Sequence, residues 1–568
     1  MNRLKALLMH GYFPVQLPPA FTTTQFARKY KKFEAVWNAE PLPSSESERF
    51  SVARSSYNRR ITRILNPVAF YGIAKAVSDY WPKIQNHFSK SRFSFSRPKF
   101  SPGIRAIKIN RFSDIHDHRI LASAGYRYAL VTDISRFFPT IYTHAIPWAL
   151  HGKSVAKRHR SPTPAYYGNI LDRASRQAQD GQTLGLPVGP DTSHVIAEII
   201  GTRMDVEIRD RLGGWPKGFR YVDDFYLFFN SRQEAENALP VIVKSATMYE
   251  LQINPQKTRI IETREMVEES WKYKLKRFPL SSRRSRQRDQ IHAFFETLLA
   301  LERAYKDESV VKYGLKLISS KIIKKSNWTE FEAYLLHCGF AYPNSLQVIA
   351  SILSTYSLHD YPLDRRAIAR FCNAIVSSHA RLDNHSEIAW ALWIMIELAL
   401  ELTPLAASEL RSLASPTCIV LAMSILKKQS TAGRGKFDAR VLRQHATTDA
   451  LRGEGWLLAY EAGRRCWLGN SDNKYIMADK YFRELLMREV SFFDESARLP
   501  AIFSPKQPDT FDPSLFESDV DVDSFFEFDE ADEEYFDKGS EDDDDEHEAG
   551  GESTPDSDAA KDPFGVEF

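Results

Sequence analysis

Two adjacent carboxylates, Asp223 and Asp224, stand between two aromatic, apolar runs, Gly218-Phe219-Arg220-Tyr221-Val222 and Phe225-Tyr226-Leu227-Phe228-Phe229. Residues of those types fit half-buried strands, so the pattern predicts a β-hairpin with its acidic pair at the tip. Two neighbouring carboxylates repel each other, and a hard divalent cation with oxygen ligands is the usual way to neutralise them. Mg²⁺ is the natural ion, and it calls for a third carboxylate on the same sheet. Asp133 fits that need. It ends Tyr126-Arg127-Tyr128-Ala129-Leu130-Val131-Thr132, which reads as a buried strand, before Ser135-Arg136-Phe137-Phe138-Pro139-Thr140 turns away. An isolated Asp-Asp pair, by contrast, is more often a solvated turn.

Asp133-Ile134-Ser135-Arg136-Phe137-Phe138, followed by Tyr221-Val222-Asp223-Asp224, resembles motifs A and C of a reverse transcriptase. Gly185-Leu186-Pro187-Val188-Gly189-Pro190-Asp191-Thr192-Ser193 resembles motif B, and Asn254-Pro255-Gln256-Lys257-Thr258 resembles motif D. The four come in the family's order across roughly 135 residues, a plausible length for one palm domain. The resemblance implies a DNA polymerase in which Asp133, Asp223 and Asp224 are catalytic and hold two Mg²⁺ ions, with Mn²⁺ as the alternative. It implies that Lys257 neutralises or protonates the leaving pyrophosphate. It puts Phe138, five residues after Asp133, under the sugar as a gate that selects dNTP over rNTP. Gly189 would allow close backbone approach to a nucleotide, and Tyr221 would belong to the substrate-binding set. Val188 stands where many relatives have glutamine, which sets the template grip apart from the retroviral kind. Ser193 reads as the N-cap of a helix over 195–210.

Around this palm the chain changes character several times. Residues 11–24 are proline-punctuated and exclude a regular helix. They resemble the opening of bacterial defence-associated reverse transcriptases of the abortive-infection and related groups, which implies a role in antiphage defence. Some of those relatives copy a partner noncoding RNA, and others extend DNA without a template from a protein primer. Residues 55–120 mix helical pattern with basic strands and read as fingers, with Arg59, Arg60, Arg63, Lys99, Arg105, Lys108 and Arg111 available to phosphates or to solvent. The strip from Trp271 to Arg288 interleaves aromatics with basic residues, as a backbone-tracking surface or a solvated linker would.

From Asp289 to about Leu499 the apolar spacing is helical, in stretches such as 291–305, 345–355, 388–402 and 404–427. Such helices can stack as an irregular solenoid, which is what the resemblance implies in place of a conventional thumb. Arg464, Arg465 and Trp467 are candidates for nucleic-acid contact or for packing. The stretch 388–402 carries Glu397 and Glu401 and is too short for a membrane span, so it reads as a buried helix.

The expected fold class is therefore α+β: an N-terminal segment and fingers (1–120), a palm (121–280), an α-helical repeat-like domain (281–504) and an acidic disordered tail (505–568). The formal net charge of +3 hides an asymmetry. The tail holds 25 acidic and 3 basic residues, leaving 48 acidic and 73 basic in the body, so −22 faces +25. A basic body is the electrostatic footprint of a nucleic-acid binder, and a tail so charged cannot fold alone. Four widely spaced cysteines suggest neither a zinc site nor a disulfide framework, and the short apolar N-terminal run does not make a signal peptide. The expected setting is the cytoplasm, with an RNA template or noncoding RNA, a DNA product and dNTPs as partners, no membrane, and a homo-oligomer left open. A catalytically silent nucleic-acid-binding scaffold is the rival reading.

Overall fold

Alternation along the central strands divides their side chains between two cores. In the chain order of the strands that frame the site, β1 (Glu48–Ala53) and β2 (Arg59–Ile64) form a hairpin, and β3 (Tyr128–Asp133), β4 (Gly218–Tyr221), β5 (Asp224–Phe229) and β6 (Arg259–Glu262) form a sheet. Its order is β4-β5-β3-β6, with every pair antiparallel. Leu130, Phe225 and Leu227 join the large core, while Ala129, Phe219, Tyr226 and Phe228 build a smaller one on the other face. A central strand covered on both faces reads as a nearly continuous apolar run, which is what β3 and β5 are up to the ends that carry Asp133 and Asp224.

The computed structural model describes residues 2–54, 58–111, 113–266, 271–281, 283–433, 440–467 and 473–503. All of them lie within one compact unit, Met1–Glu534, and the acidic tail expected to be disordered lies outside the described residues.

The helices behind the sheet start where local chemistry tells them to. Helix α1 (Pro67–Phe88) opens with Asn66 accepting from Val68 N–H and proline at its first position. Helix α2 (Asp191–Leu212) is buried along most of its length, as a helix wedged behind a sheet must be. It begins at Asp191, so Ser193 is not the N-cap: its hydroxyl donates instead to Pro187 O at 2.5 Å. Helix α3 (Arg232–Thr247) carries a capping box between Ser231 and Glu234 and packs on β3 and β5.

Beyond residue 283 the described chain is helical, and no named strand occurs there among the described residues. Helix α4 (His385–Glu397) is almost wholly buried and stops before Leu402. The expected helix over 404–427 is two: Pro404–Glu409, then α5 (Pro416–Thr431), because Pro416 cannot continue a helix but can begin one. Among the described residues no helix is long and apolar enough to cross a membrane.

These helices return to the N-terminal segment rather than trailing away from it. Thr22 N–H donates to Phe492 O at 3.0 Å, Asn66 Nδ2 to Leu451 O at 2.8 Å, and Tyr12 stacks on Phe70 beside Phe492. The β1–β2 hairpin is fastened to α4 and α5: Arg59 makes a two-pronged pair with Glu387, and Glu48 accepts from Ser415 and Thr417 at the start of α5.

Candidate active site

Register brings the three carboxylates together. Asp133, the last residue of β3, lies directly opposite Asp224, the first of β5, and the turn Val222-Asp223 joins β4 to β5 with Tyr221 opposite Asp224. Directly opposed residues put their Cβ atoms roughly 5 Å apart on one face, so Asp133 and Asp224 share a surface. Asp224 is therefore already in the strand, and the tip is Val222 and Asp223. Asp133 and Asp223 are 3% and 8% exposed. Val222 holds a φ of 52°, a left-handed backbone costly for a β-branched residue.

Asp133 leans on Lys257, whose Nζ is 3.4 Å from Oδ2, while Oδ1 is buried with no hydrogen-bond partner among the described residues. Burial raises the Asp133 carboxyl above its ordinary value, and Lys257 beside it works the other way. The loop that carries Lys257 is tied to the end of β3: Asn254 N–H donates to Asp133 O at 2.9 Å and Ser135 N–H to Gln252 O at 2.8 Å. Thus the spacing of Asn254 and Lys257 sets a lysine against the first carboxylate.

As the side chains stand, no three His, Cys, Asp or Glu among the described residues converge on one point able to hold a metal ion. The donors still suit a hard divalent cation. They are all carboxylate oxygens, two of them stand on directly paired strand ends with the third in the adjoining turn, and one buried oxygen lacks a partner among the described residues.

Phe138 is half-buried, edge-on to the His194 ring at 5.2 Å, and its carbonyl accepts from Leu186 N–H at 2.8 Å. His194, on α2, is pushed down to about 4 by burial, so it stands neutral beside the aromatic. Gly189 has a φ of 123°, and a Cβ there would lie 2.8 Å from Pro14 Cγ. Its lack of a side chain thus admits the N-terminal segment under this loop. Tyr221 packs its ring into the smaller core, and its hydroxyl donates to Asn110 O at 3.0 Å.

Several basic residues read as phosphate candidates are committed elsewhere. Arg105 pairs with Asp191 and donates to Phe13 O and Gly189 O at 2.7 and 2.9 Å, buckling the N-terminal segment to the loop before α2. Arg59 is held by Glu387. Arg464 and Arg465 pair with Glu461, and Trp467 is buried, so that cluster is packing. Sequence reasoning also passed over Arg220, Glu198, Asp205 and Ser96, which lie behind the tip. Part of their signal was present: Arg220 is the one charged residue of an otherwise apolar strand, whereas Glu198 and Asp205 sit in a helix that carries several other charges.

Residues 70–287 match the family model described as "Reverse transcriptase (RNA-dependent DNA polymerase)". The chain thus carries a reverse transcriptase domain over the stretch that holds all three carboxylates. No curated protein matches the sequence. Solved structures similar to it include apo telomerase from Candida tropicalis truncated from its C-terminal domain, at 12% identity and a TM-score of 0.29, over 43% of this chain and 56% of that one. The chain spans little more than half the length of that structure. Apo telomerase from the same organism is matched at 10% identity and a TM-score of 0.30, over 72% of this chain and 73% of that one. Telomerase from Candida albicans, in complex with a TWJ fragment of telomeric RNA, is matched at 11% identity and a TM-score of 0.27, over 72% of this chain and 67% of that one.

Proposed function

We propose that this chain, with a reverse transcriptase domain over residues 70–287, is an active DNA polymerase that adds dNTPs to a growing strand. The observation that carries the reading is the register: Asp133 opposite Asp224, with Asp223 in the adjoining turn, inside the matched stretch. Three carboxylates gathered at neighbouring strand ends repel one another, and they are the donor set that paired Mg²⁺ ions would take. When bound, those ions make the attacking hydroxyl more acidic and neutralise charge on the phosphates. Asp133, Asp223 and Asp224 hold and orient them. Lys257 keeps a cation next to Asp133, where charge builds on the leaving pyrophosphate. Phe138 closes off the space a 2′-hydroxyl would need, Gly189 keeps the loop before α2 low beside the nucleotide, and Tyr221 forms the floor under the tip.

In this reading the fingers occupy residues 1–120, the palm 121–280 and a helical domain 281–504, with 505–568 as a tail. The cytoplasm is the place of action, a copied or bound RNA is the nucleic-acid partner, and the opening phrase at residues 11–24 supports a part in antiphage defence. Synthesis copies a partner RNA or proceeds without a template from a protein primer.

The test is to incubate purified wild-type protein and the Asp223→Ala/Asp224→Ala variant with Mg²⁺ and each labelled dNTP, then to treat any product with protease or RNase. DNA made by the wild type alone supports the polymerase. A protease-dependent change in its mobility identifies a protein primer, and loss of synthesis after RNase treatment during purification identifies a copurifying template. No synthesis by wild type, even with RNA supplied, would favour a silent scaffold.

A further inference from the structure

The turn that carries Asp223 is held from behind by a buried ion network. Arg220 on β4 is 1% exposed, and its guanidinium donates to three groups at once, two carboxylates on α2 and one carbonyl of the turn. Nε and Nη2 reach both oxygens of Asp205 at 2.8 and 2.9 Å, Nη1 and Nη2 reach Glu198 at 3.1 Å each, and Nη1 also reaches the carbonyl of Val222 at 2.6 Å. Asp205 and Glu198 both come from α2, where Ser91 Oγ donates to Asp205 at 2.7 Å and Thr202 Oγ1 to Glu198 at 3.3 Å. Between those two carboxylates α2 has Gly201, and a Cβ there would lie 2.7 Å from Arg220 Cζ, so the glycine makes room for the guanidinium.

Val222 is the other half of the device. Its left-handed backbone is unfavourable for valine and persists only where its surroundings over-determine it. Both polar groups of the residue are taken: the carbonyl by Arg220, and the N–H by Ser96 Oγ at 2.7 Å. Ser96 belongs to a segment that Arg220 also fastens through its backbone, since Arg220 N–H donates to Phe93 O at 2.9 Å and Phe95 N–H to Arg220 O at 2.7 Å. Three buried charges give little stability that apolar packing would not supply, so their use lies in fixing one geometry. That geometry is the orientation of the peptide immediately before Asp223.

We propose that Arg220, seated on Asp205 and Glu198 and assisted by Ser96, is the positioning residue that aims the Asp223 carboxylate into the metal centre. The inference rests on the polymerase reading, and its test separates the two. Arg220→Lys keeps the charge but loses the fork that spans Val222 and both acids. Ser96→Ala removes the second anchor with a change of one oxygen, and decides the matter if the Arg220 variant fails to fold. Displacing a reacting group by about 1 Å costs on the order of 100-fold, so each variant is expected to lose about that in kcat with KM for dNTP nearly unchanged. Mn²⁺ binding, followed by electron paramagnetic resonance without nucleotide, is expected to weaken by about 10-fold in both variants. A role confined to stability would lower the melting temperature while leaving kcat per folded molecule and Mn²⁺ affinity at wild-type values, and that result overturns the inference. A wild type that binds no Mn²⁺ and adds no dNTP overturns the polymerase reading, and the inference with it.

Discussion

Glu48→Gln should remove a loss of stability that the wild-type protein suffers as pH rises. Glu48 opens β1 with 1% of its surface exposed, and it faces the start of α5, accepting from Ser415 Oγ at 2.8 Å, Thr417 N–H at 3.0 Å and Thr417 Oγ1 at 2.7 Å. Those donors and the helix N-terminus favour a negative charge, but burial outweighs them and pushes the carboxyl up to about 7. A carboxyl raised above its unfolded value takes up a proton on folding. Its contribution is therefore best below the ordinary carboxylate range and is lost as pH climbs from there through 7. At 1.36 kcal/mol per pH unit, the full loss is about 3 kcal/mol above that window. Glutamine keeps an acceptor for Thr417 N–H and can donate to either hydroxyl, yet carries no charge to desolvate. Urea unfolding of wild type and variant at pH 5 and pH 8.5, followed by tryptophan fluorescence, measures the difference. The variant should gain on wild type by about 2–3 kcal/mol between the two pH values, because part of the loss has already occurred at pH 5. A difference independent of pH, or one that moves against the variant as pH rises, would refute the reasoning.

Two further substitutions probe other contacts. Arg59→Ala leaves Glu387, only 2% exposed, without its two-pronged partner, and should destabilise the protein by about 3 kcal/mol. Urea unfolding checks this, and Arg59→Ala/Glu387→Ala should be more stable than the single variant, since no buried charge is then left unpaired. Phe138→Ala should raise the ratio of rNTP to dNTP incorporation by about 10-fold, or ~1.4 kcal/mol of discrimination, in single-nucleotide addition assays. An unchanged ratio would mean that Phe138, edge-on to His194, serves packing alone.

The sheet was legible because its strands are runs of aromatic and β-branched residues with the acids where those runs end or turn, so the sequence itself aligns Asp133, Asp223 and Asp224. Lys257 was legible too, through its spacing from Asn254, and it lies against Asp133. Contacts between distant segments were not, because no local pattern encodes them. Arg59 and Arg105 read from sequence as phosphate contacts or as charged surface, and only the fold reveals Glu387 and Asp191 beside them. The break at Pro416 could have been read from the residue itself, whereas the helical spacing on either side of it suggested one continuous element. Ser193 misled for a similar reason: Asp191 and Pro190 had already begun the helix.

The central claim is that Asp133, although paired with Lys257, acts with Asp223 and Asp224 as one catalytic centre. The most direct test is the rate of dNTP addition by Asp133→Asn with Mg²⁺ on a primed RNA template, beside wild type and with folding checked by circular dichroism. The amide keeps the shape of the carboxylate and removes its charge, so the account predicts a loss of about 1,000-fold or more, ~4 kcal/mol of barrier, in a folded protein. Extension at the wild-type rate would contradict it, because the three carboxylates would then share a sheet without sharing a reaction.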